Sequence, residues 1–457
     1  MPRFSIVLTT TDRQSLLPAA IRAVLAMRFD DFELIVSDNF SQPSAAEIVA
    51  QFDDPRIRYL RTERRINMTD HWEFVWEHVR GEFAMYAGDD NALHPDILAQ
   101  ADRAIDQHGL DLVSWRVCHY FHPDWDVAYG NLPRRGNVLT FDPGTTGRLY
   151  RGVPSAILRN YCAELRLHGC FPMMPNCLFR REHVAALRAR MGRIFWPIAA
   201  DVSISYFLLG TVPPERFAIL DGYGAIAGRS RNSILAGFLT RGATNRRANE
   251  LFSEYKGADY FPHHPVKFNC YSNVLAAIIS QARTLIPETF GVYDYSPRTL
   301  ALRTLDDIYT LRATPWANDP RFLEEVEQFL RSLPAGERDE VMRYRDKCIR
   351  DARDEEAVAQ DAGNPDRSDD PRRLWAIDRT YYIDMALFGG CDIADAAACL
   401  PEILGLLDHP SDRYIERQQA DGYVADALTS PGDGEASLQA VAADQPVSAR
   451  SALAPSR

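Results

Sequence analysis

The chain has 457 residues, 46% of them hydrophobic and 25% charged, with a net charge of -12. That composition is ordinary for a globular protein of two or three domains, and its acidity argues against the basic stripes that nucleic-acid binding requires. About half of the excess is local: eight acidic and two basic residues lie between Asp351 and Asp370, the pattern of a solvated linker.

No apolar run approaches the ~18–20 residues needed to cross a bilayer. The start, "MPRFSIVLTTTDRQ", lacks the charged, apolar and small-residue regions of a secretory signal and reads as a first strand. The eight cysteines form no C-x-x-C pair, as expected of reduced thiols in a cytoplasmic protein. These readings leave room for peripheral association with a membrane but no span through it.

In chain order, "RFSIVLTT" (3–10) and "FELIVSD" (32–38) are continuous apolar runs, as in strands buried on both faces of a parallel sheet. Between them Ser15 is placed to cap a helix that carries Leu16, Leu17, Ala20, Ile21, Val24 and Leu25 on one side, with Pro18 in its first turn. Residues 41–52 form a second short helix and "RIRYLR" (56–61) a third strand. Trp72, Val75, Trp76 and Val79 fall on one helical face, a core stripe. "FAMYAGDD" (83–90) is the fourth strand, Pro95 opens a helix, and "LDLVSWRVCHYF" (110–121) is the fifth strand.

Such alternation implies right-handed crossovers and an open, mostly parallel sheet, whose ligands bind beyond the carboxyl ends of the strands. Three polar clusters fall there: Thr9–Arg13, Ser37–Ser41 and Gly88–Asn91. Beyond residue 125 the pattern is irregular. Residues 155–228 return to mixed elements, and 232–345 read as mainly helical. We therefore divide the chain into a domain over 1–230, a mainly helical region over 231–410 with an acidic linker near 351–372, and a disordered tail over 411–457.

The first strand–helix turn, "TTTDRQS", has no G-x-G-x-x-G, and "DGYGAIAG" (221–228) has its glycines at the wrong spacing. P-loop and G-x-S-x-G motifs are missing. Cys118, His119 and His122 in "CHYFH" do not make a zinc site, because strand alternation sends Cys118 and His119 to opposite faces. What remains is carboxylates at strand ends. Asp38 could accept hydrogen bonds from a nucleobase or ribose, or simply from its own turn. Asp89 and Asp90 are adjacent like charges, which a divalent cation bound to hard oxygen ligands would make tolerable.

The blocks "FSIVLTTTDR", "FELIVSDNFS", "DPRIRYLR" and "GEFAMYAGDDNALHPDIL", in this order over residues 3–115, resemble family 2 glycosyltransferases of the GT-A fold, especially the spore-coat polysaccharide type. The resemblance implies an α/β domain with a mostly parallel open sheet flanked by helices. It implies a metal-dependent, inverting hexosyl or related transfer from a nucleotide-diphosphate sugar, UDP-type by preference, to a glycan, lipid-linked or other hydroxyl acceptor, with Mn²⁺ or Mg²⁺ as cofactor. Thr9 and Thr11 would line the base pocket, and Arg13 would lie near the phosphates. Asp38 would bind the base or its ribose, Asp89 the ribose, and Asp90 the metal. The family often has an aromatic residue where Thr11 stands, and Arg or Asn where His71 and Trp72 lie. Asp201, before the apolar helix in "RIFWPIAADVSISYFLLG", matches the family's catalytic base and could also be an N-cap, with Asp221 in reserve.

Arg229 and Arg231 in "GRSRNS" could neutralise a diphosphate, although a solvated turn is the simpler reading. His263 and His264 could supply a metal ligand but fit a structural role better. A non-catalytic nucleotide-sugar-binding scaffold is the alternative from another class. A sugar-1-phosphate nucleotidyltransferase is less favoured, since its G-G-x-G-T-R-L start is absent.

Overall fold

A computed structural model of the chain describes residues 1–125, 133, 135–167, 171–196, 199–231, 263–264, 266, 270–310, 320–361, 374–377, 380–407 and 413–428. Strands β1 (Phe4–Thr10), β2 (Phe32–Asp38), β3 (Ile57–Arg61) and β4 (Phe83–Gly88) lie parallel in the order β3-β2-β1-β4. Their continuous apolar character has a direct cause. Along β1, Phe4, Ile6 and Leu8 enter one core while Val7 enters the other, and β4 sends Phe83, Met85 and Ala87 one way and Ala84 and Tyr86 the other. Both faces are thus covered, as a parallel sheet requires.

One face carries α1 (Leu17–Leu25) and α4 (Ile97–His108), and the other carries α3 (Met68–Trp76). Helix α1 begins at Leu17 with no side-chain cap, so Ser15 does not play the capping role expected of it. The short helix α2 covers only Ala46–Val49. Trp76, Val75 and Val79 are core, as their spacing implied.

Beyond β4 the sheet departs from a purely parallel order. After the two-residue β5 (Ala92–Leu93) come β6 (Leu112–Phe121), β7 (Val138–Phe141) and β8 (Leu149–Gly152), then α5 (Pro154–Glu164) and β9 (Cys177–Arg180). Strand β9 is wedged antiparallel between β4 and β6. Helices α6 (Arg181–Met191) and α7 (Ala200–Thr211) follow. The long β10 (Phe217–Arg229) runs parallel to β6 and antiparallel to β5, which carries its end to the turn after β4. The glycines of "DGYGAIAG" lie in this strand and allow close packing: a Cβ on Gly224 would sit 2.5 Å from the Trp115 ring.

The expected helical region is present in α8 (Tyr271–Leu285), α9 (Pro287–Phe290), α10 (Pro297–Thr310), α11 (Pro320–Ser332) and α12 (Ala335–Asp361). The acidic stretch is helical as far as Asp361, so its first half is not an irregular linker. The chain then rejoins the sheet: β11 (Leu374–Ile377) and β12 (Thr380–Asp384) extend it beyond β7, and α13 (Ile393–Leu407) shares a core with Ala19 and Ala23 of α1. Within the segment expected as a disordered tail, α14 (Arg413–Ala420) and β13 (Val424–Ala427) are ordered. Pairing with β8 and burial of Tyr423 and Val424 supply what low hydrophobicity alone could not. The rest of that tail lies outside the described residues. No described helix is long and apolar enough to cross a membrane.

Candidate active site

Strand register assembles the site. Thr10 pairs with Asp38, Thr9 with Gly88, and Asp38 with Arg61, so the polar ends of four strands meet along one edge. Asp89 and Asp90 follow Gly88 directly, and both are buried. Thr10 Oγ1 donates to Asp89 Oδ2 at 2.6 Å, and Arg13 Nη1 donates to Asp89 Oδ1 at 2.9 Å and to Asp90 Oδ2 at 2.6 Å. Burial works against the Arg13 charge, but Asp90 and Asp89 outweigh it and raise its pKa above the ordinary value.

This corrects the expectation that crowding of the two acids demands a metal ion, because a guanidinium already bridges them. Arg13 reaches Asp90 through Oδ2. Gly88 allows Asp90 to approach the strand end closely, since a Cβ there would lie 2.8 Å from Asp90 Oδ1. The donor set, two adjacent hard carboxylates, fits Mn²⁺ or Mg²⁺.

Asp38 is more committed than its strand-end position implied. Its fully buried carboxylate accepts from Ser41 N (2.7 Å), Ala45 N (3.1 Å) and Tyr59 Oη (2.8 Å), with Arg61 at 3.5 Å. Burial opposes its charge, but the Ser41, Ala45 and Tyr59 bonds prevail and hold its carboxyl below the ordinary value. Asp38 therefore anchors the loop after β2. That loop is tied to the turn after β1, where Asp12 N donates to Ser41 Oγ at 2.9 Å. Thr9 and Thr11 are half-buried beside it. His71 is buried against Ser37 Oγ at 2.8 Å, and burial pushes its pKa down to about 4 despite Asp38 nearby; it is a neutral packing group.

The end of β10 closes the acidic turn from below. Gly228 N donates to Asn91 Oδ1 at 3.2 Å, and His122 Nε2 lies 3.4 Å from the Asp90 carbonyl oxygen. A Cβ on Gly228 would meet that oxygen at 1.7 Å. Gly228→Ala is therefore expected to cost ~1–3 kcal/mol or more by overpacking, read as an earlier melting transition. An unchanged melting temperature would show that the turn yields freely.

Asp201 sits in the first turn of α7, whose N-cap is Ala199, so it is not the N-cap that the sequence allowed. It is half-buried, and the surrounding protein raises its pKa, offset in part by the backbone amides of Val202 and Asp201. The segment leading to it is latched onto α3: Glu73 accepts from Phe195 N at 2.7 Å, and Phe195 packs edge-on against Trp72 at 5.4 Å, which stacks on Tyr86 of β4 at 4.9 Å. The base candidate is thus held, through these rings, to the strand that carries the acidic pair. The reserve, Asp221, fits no such role. It is fully buried and accepts from Thr146 N and Oγ1, each at 2.8 Å, with Arg116 at 3.5 Å. His264 is structural, its ring nitrogens bonded to Asn273 at 2.8 Å and Ser280 at 3.0 Å. Cys118 turns to the Ala225 carbonyl and His119 to Arg229, so "CHYFH" gathers no common site.

Residues 5–163 match the family described as Glycosyl transferase family 2. Residues 5–163 carry a glycosyltransferase family 2 domain. Over 96 residues it is 33% identical to the GalNAc(5)-diNAcBac-PP-undecaprenol beta-1,3-glucosyltransferase of Campylobacter jejuni, covering 20% of this chain and 31% of that protein. It thus spans about a third of the length of that curated relative. Similar solved structures include S. aureus TarS 1-349 in complex with UDP-GlcNAc (14% identity, TM-score 0.41, covering 82% of this chain and 95% of that one). Another is the mannosyltransferase PcManGT from Pyrobaculum calidifontis in complex with GDP-Man and Mn2+ (14% identity, TM-score 0.34, covering 79% and 88%).

In this family 2 domain the mostly parallel sheet with helices on both faces agrees with the GT-A arrangement that the resemblance implied. Sequence reasoning missed Thr10, whose hydroxyl bonds Asp89. Alternation along β1 was the available signal, since it sends Thr10 to the side opposite Thr9. Gly228 carried no such signal, because its role depends on β10 arriving beside β5.

Proposed function

We propose that the family 2 domain is a metal-dependent, inverting glycosyltransferase moving a sugar from a nucleotide-diphosphate donor, UDP-type by preference, to a glycan, lipid-linked or other hydroxyl acceptor. The observation that carries this reading is the meeting of Thr10, Arg13, Asp89 and Asp90 at the carboxyl edge of β1 and β4, where open α/β sheets bind ligands. The PP-undecaprenol in the relative's name favours a lipid-linked acceptor among the possibilities, met from the cytoplasmic side.

Thr9 and Thr11 would line the base pocket, and Asp38 would keep the adjoining loop in place beneath it. Asp89, oriented by Thr10 and Arg13, would face the ribose. Asp90 would hold Mn²⁺ or Mg²⁺, which when bound would counter charge gathering on the diphosphate leaving group. Arg13 would share its guanidinium between the acids and the phosphates. Asp201 would take the acceptor's hydroxyl proton as that oxygen attacks the anomeric carbon from the face opposite the leaving group. Its raised basicity suits that task.

The test is thermal shift against uridine and guanosine diphosphates and their sugars with Mn²⁺. A ligand at a hundred times its Kd should add ~2.7 kcal/mol of stability. A flat response across the panel would overturn the proposal. Binding with no donor hydrolysis and no transfer would favour the non-catalytic scaffold.

A further inference from the structure

Arg229 is the last residue of β10, paired in register with Phe121 of β6. It is not in a solvated turn, as its sequence context implied, but half-buried at the strand's end. Its backbone is fixed on both sides, since His122 N donates to its carbonyl at 2.8 Å and the preceding Gly228 N donates to Asn91 Oδ1 at 3.2 Å. The backbone that carries the Arg229 side chain is therefore held by a strand at the flank of the D-D-N turn, not by a loose loop.

What it meets there is incomplete. Among the described residues its side-chain partner is His119, with Arg229 Nη2 3.5 Å from Nδ1. Burial, with the Arg229 charge, pushes His119 down to about 3, so that ring is neutral and can only accept weakly. Burial also draws the Arg229 value below its ordinary one, with Asp90 pulling the other way. A guanidinium keeps its charge in any protein environment. By contrast, Arg13 on the acidic turn is matched by two carboxylates within 3 Å. Arg13 is thus matched by two carboxylates at hydrogen-bond distance, whereas among the described residues Arg229 has a neutral ring at that distance.

We infer that Arg229 is a binding residue for the terminal phosphate of the donor's diphosphate, gripping it from the β10 side of the acidic turn. Its planar fork suits a tetrahedral oxyanion, and the strand places it without further ordering cost. The inference rests on the proposed function, and the experiment separates the two.

Wild type, Arg229→Gln and Arg229→Lys are titrated by calorimetry, in Mn²⁺, with a nucleoside diphosphate and the matching monophosphate, using the uridine and guanosine pairs. A lost charge-assisted bond should weaken diphosphate binding by roughly 10–100-fold while changing the monophosphate by less than about threefold. Arg229→Lys should fall between. Equal losses on both nucleotides, or none, would overturn the assignment. Should Arg229→Gln melt early, Arg229→Lys carries the same comparison. A wild type that binds none of the four nucleotides would sink the proposed function itself, and this inference with it.

Discussion

Asp201→Asn should reduce sugar transfer by about 10²–10⁴-fold, the usual contribution of a positioned base, with nucleotide binding left within about threefold. The amide keeps the shape of the carboxylate but cannot accept the acceptor's proton. Because burial raises the Asp201 pKa, the acid limb of kcat/KM should lie above the ordinary carboxylate range, with activity lost as pH falls through it. The same shift has a stability consequence. A carboxyl whose folded-state value exceeds its unfolded one holds its proton more tightly in the fold, so stability present below the ordinary value is lost as pH rises through the raised one. At neutral pH the charged Asp201 therefore burdens the fold, and Asp201→Asn should melt no earlier than wild type. Near-normal turnover in the variant would refute the base assignment. A lower melting temperature would instead mark Asp201 as a structural acid.

Asp90→Ala should abolish the part of nucleotide diphosphate affinity that Mn²⁺ supplies. Arg13 engages Asp90 through Oδ2, whereas both oxygens of Asp89 are engaged by Arg13 and Thr10. Calorimetry of wild type with and without Mn²⁺ should show a large difference that vanishes in the variant. The fold should survive, since Arg13 retains Asp89 as its partner and the site loses one of two like charges. If the metal dependence persists in Asp90→Ala, or wild type shows none, the metal assignment falls. The two variants separate cleanly: one loses chemistry and keeps binding, while the other loses metal-assisted binding first.

The local pattern was legible wherever a residue's environment follows from its neighbours in the chain. Strands β1 to β4 are apolar on both faces because helices cover both, and that requirement is written into each strand in turn. The strand-end positions of Asp38, Asp89 and Asp90 were readable for the same reason. The partners of these acids were not. Sequence could count the charges of the acidic pair but not see that Arg13 folds back over them, so it assigned to a metal ion a task that a guanidinium already performs. It likewise left Asp38 divided between ligand and turn, and could not show Ser41, Ala45 and Tyr59 converging on its carboxylate.

By itself, then, the sequence determined the α/β class, the order of the first strands and helices, and the acids that end them, because periodicity and strand termination are short-range properties. Tertiary structure alone decided the wedge of β9, the seating of β10 under the acidic turn, the return of residues 374–428 to the sheet, and which cations face which acids. Those features arise between segments far apart in the chain and depend on register and close approach, which no local pattern encodes.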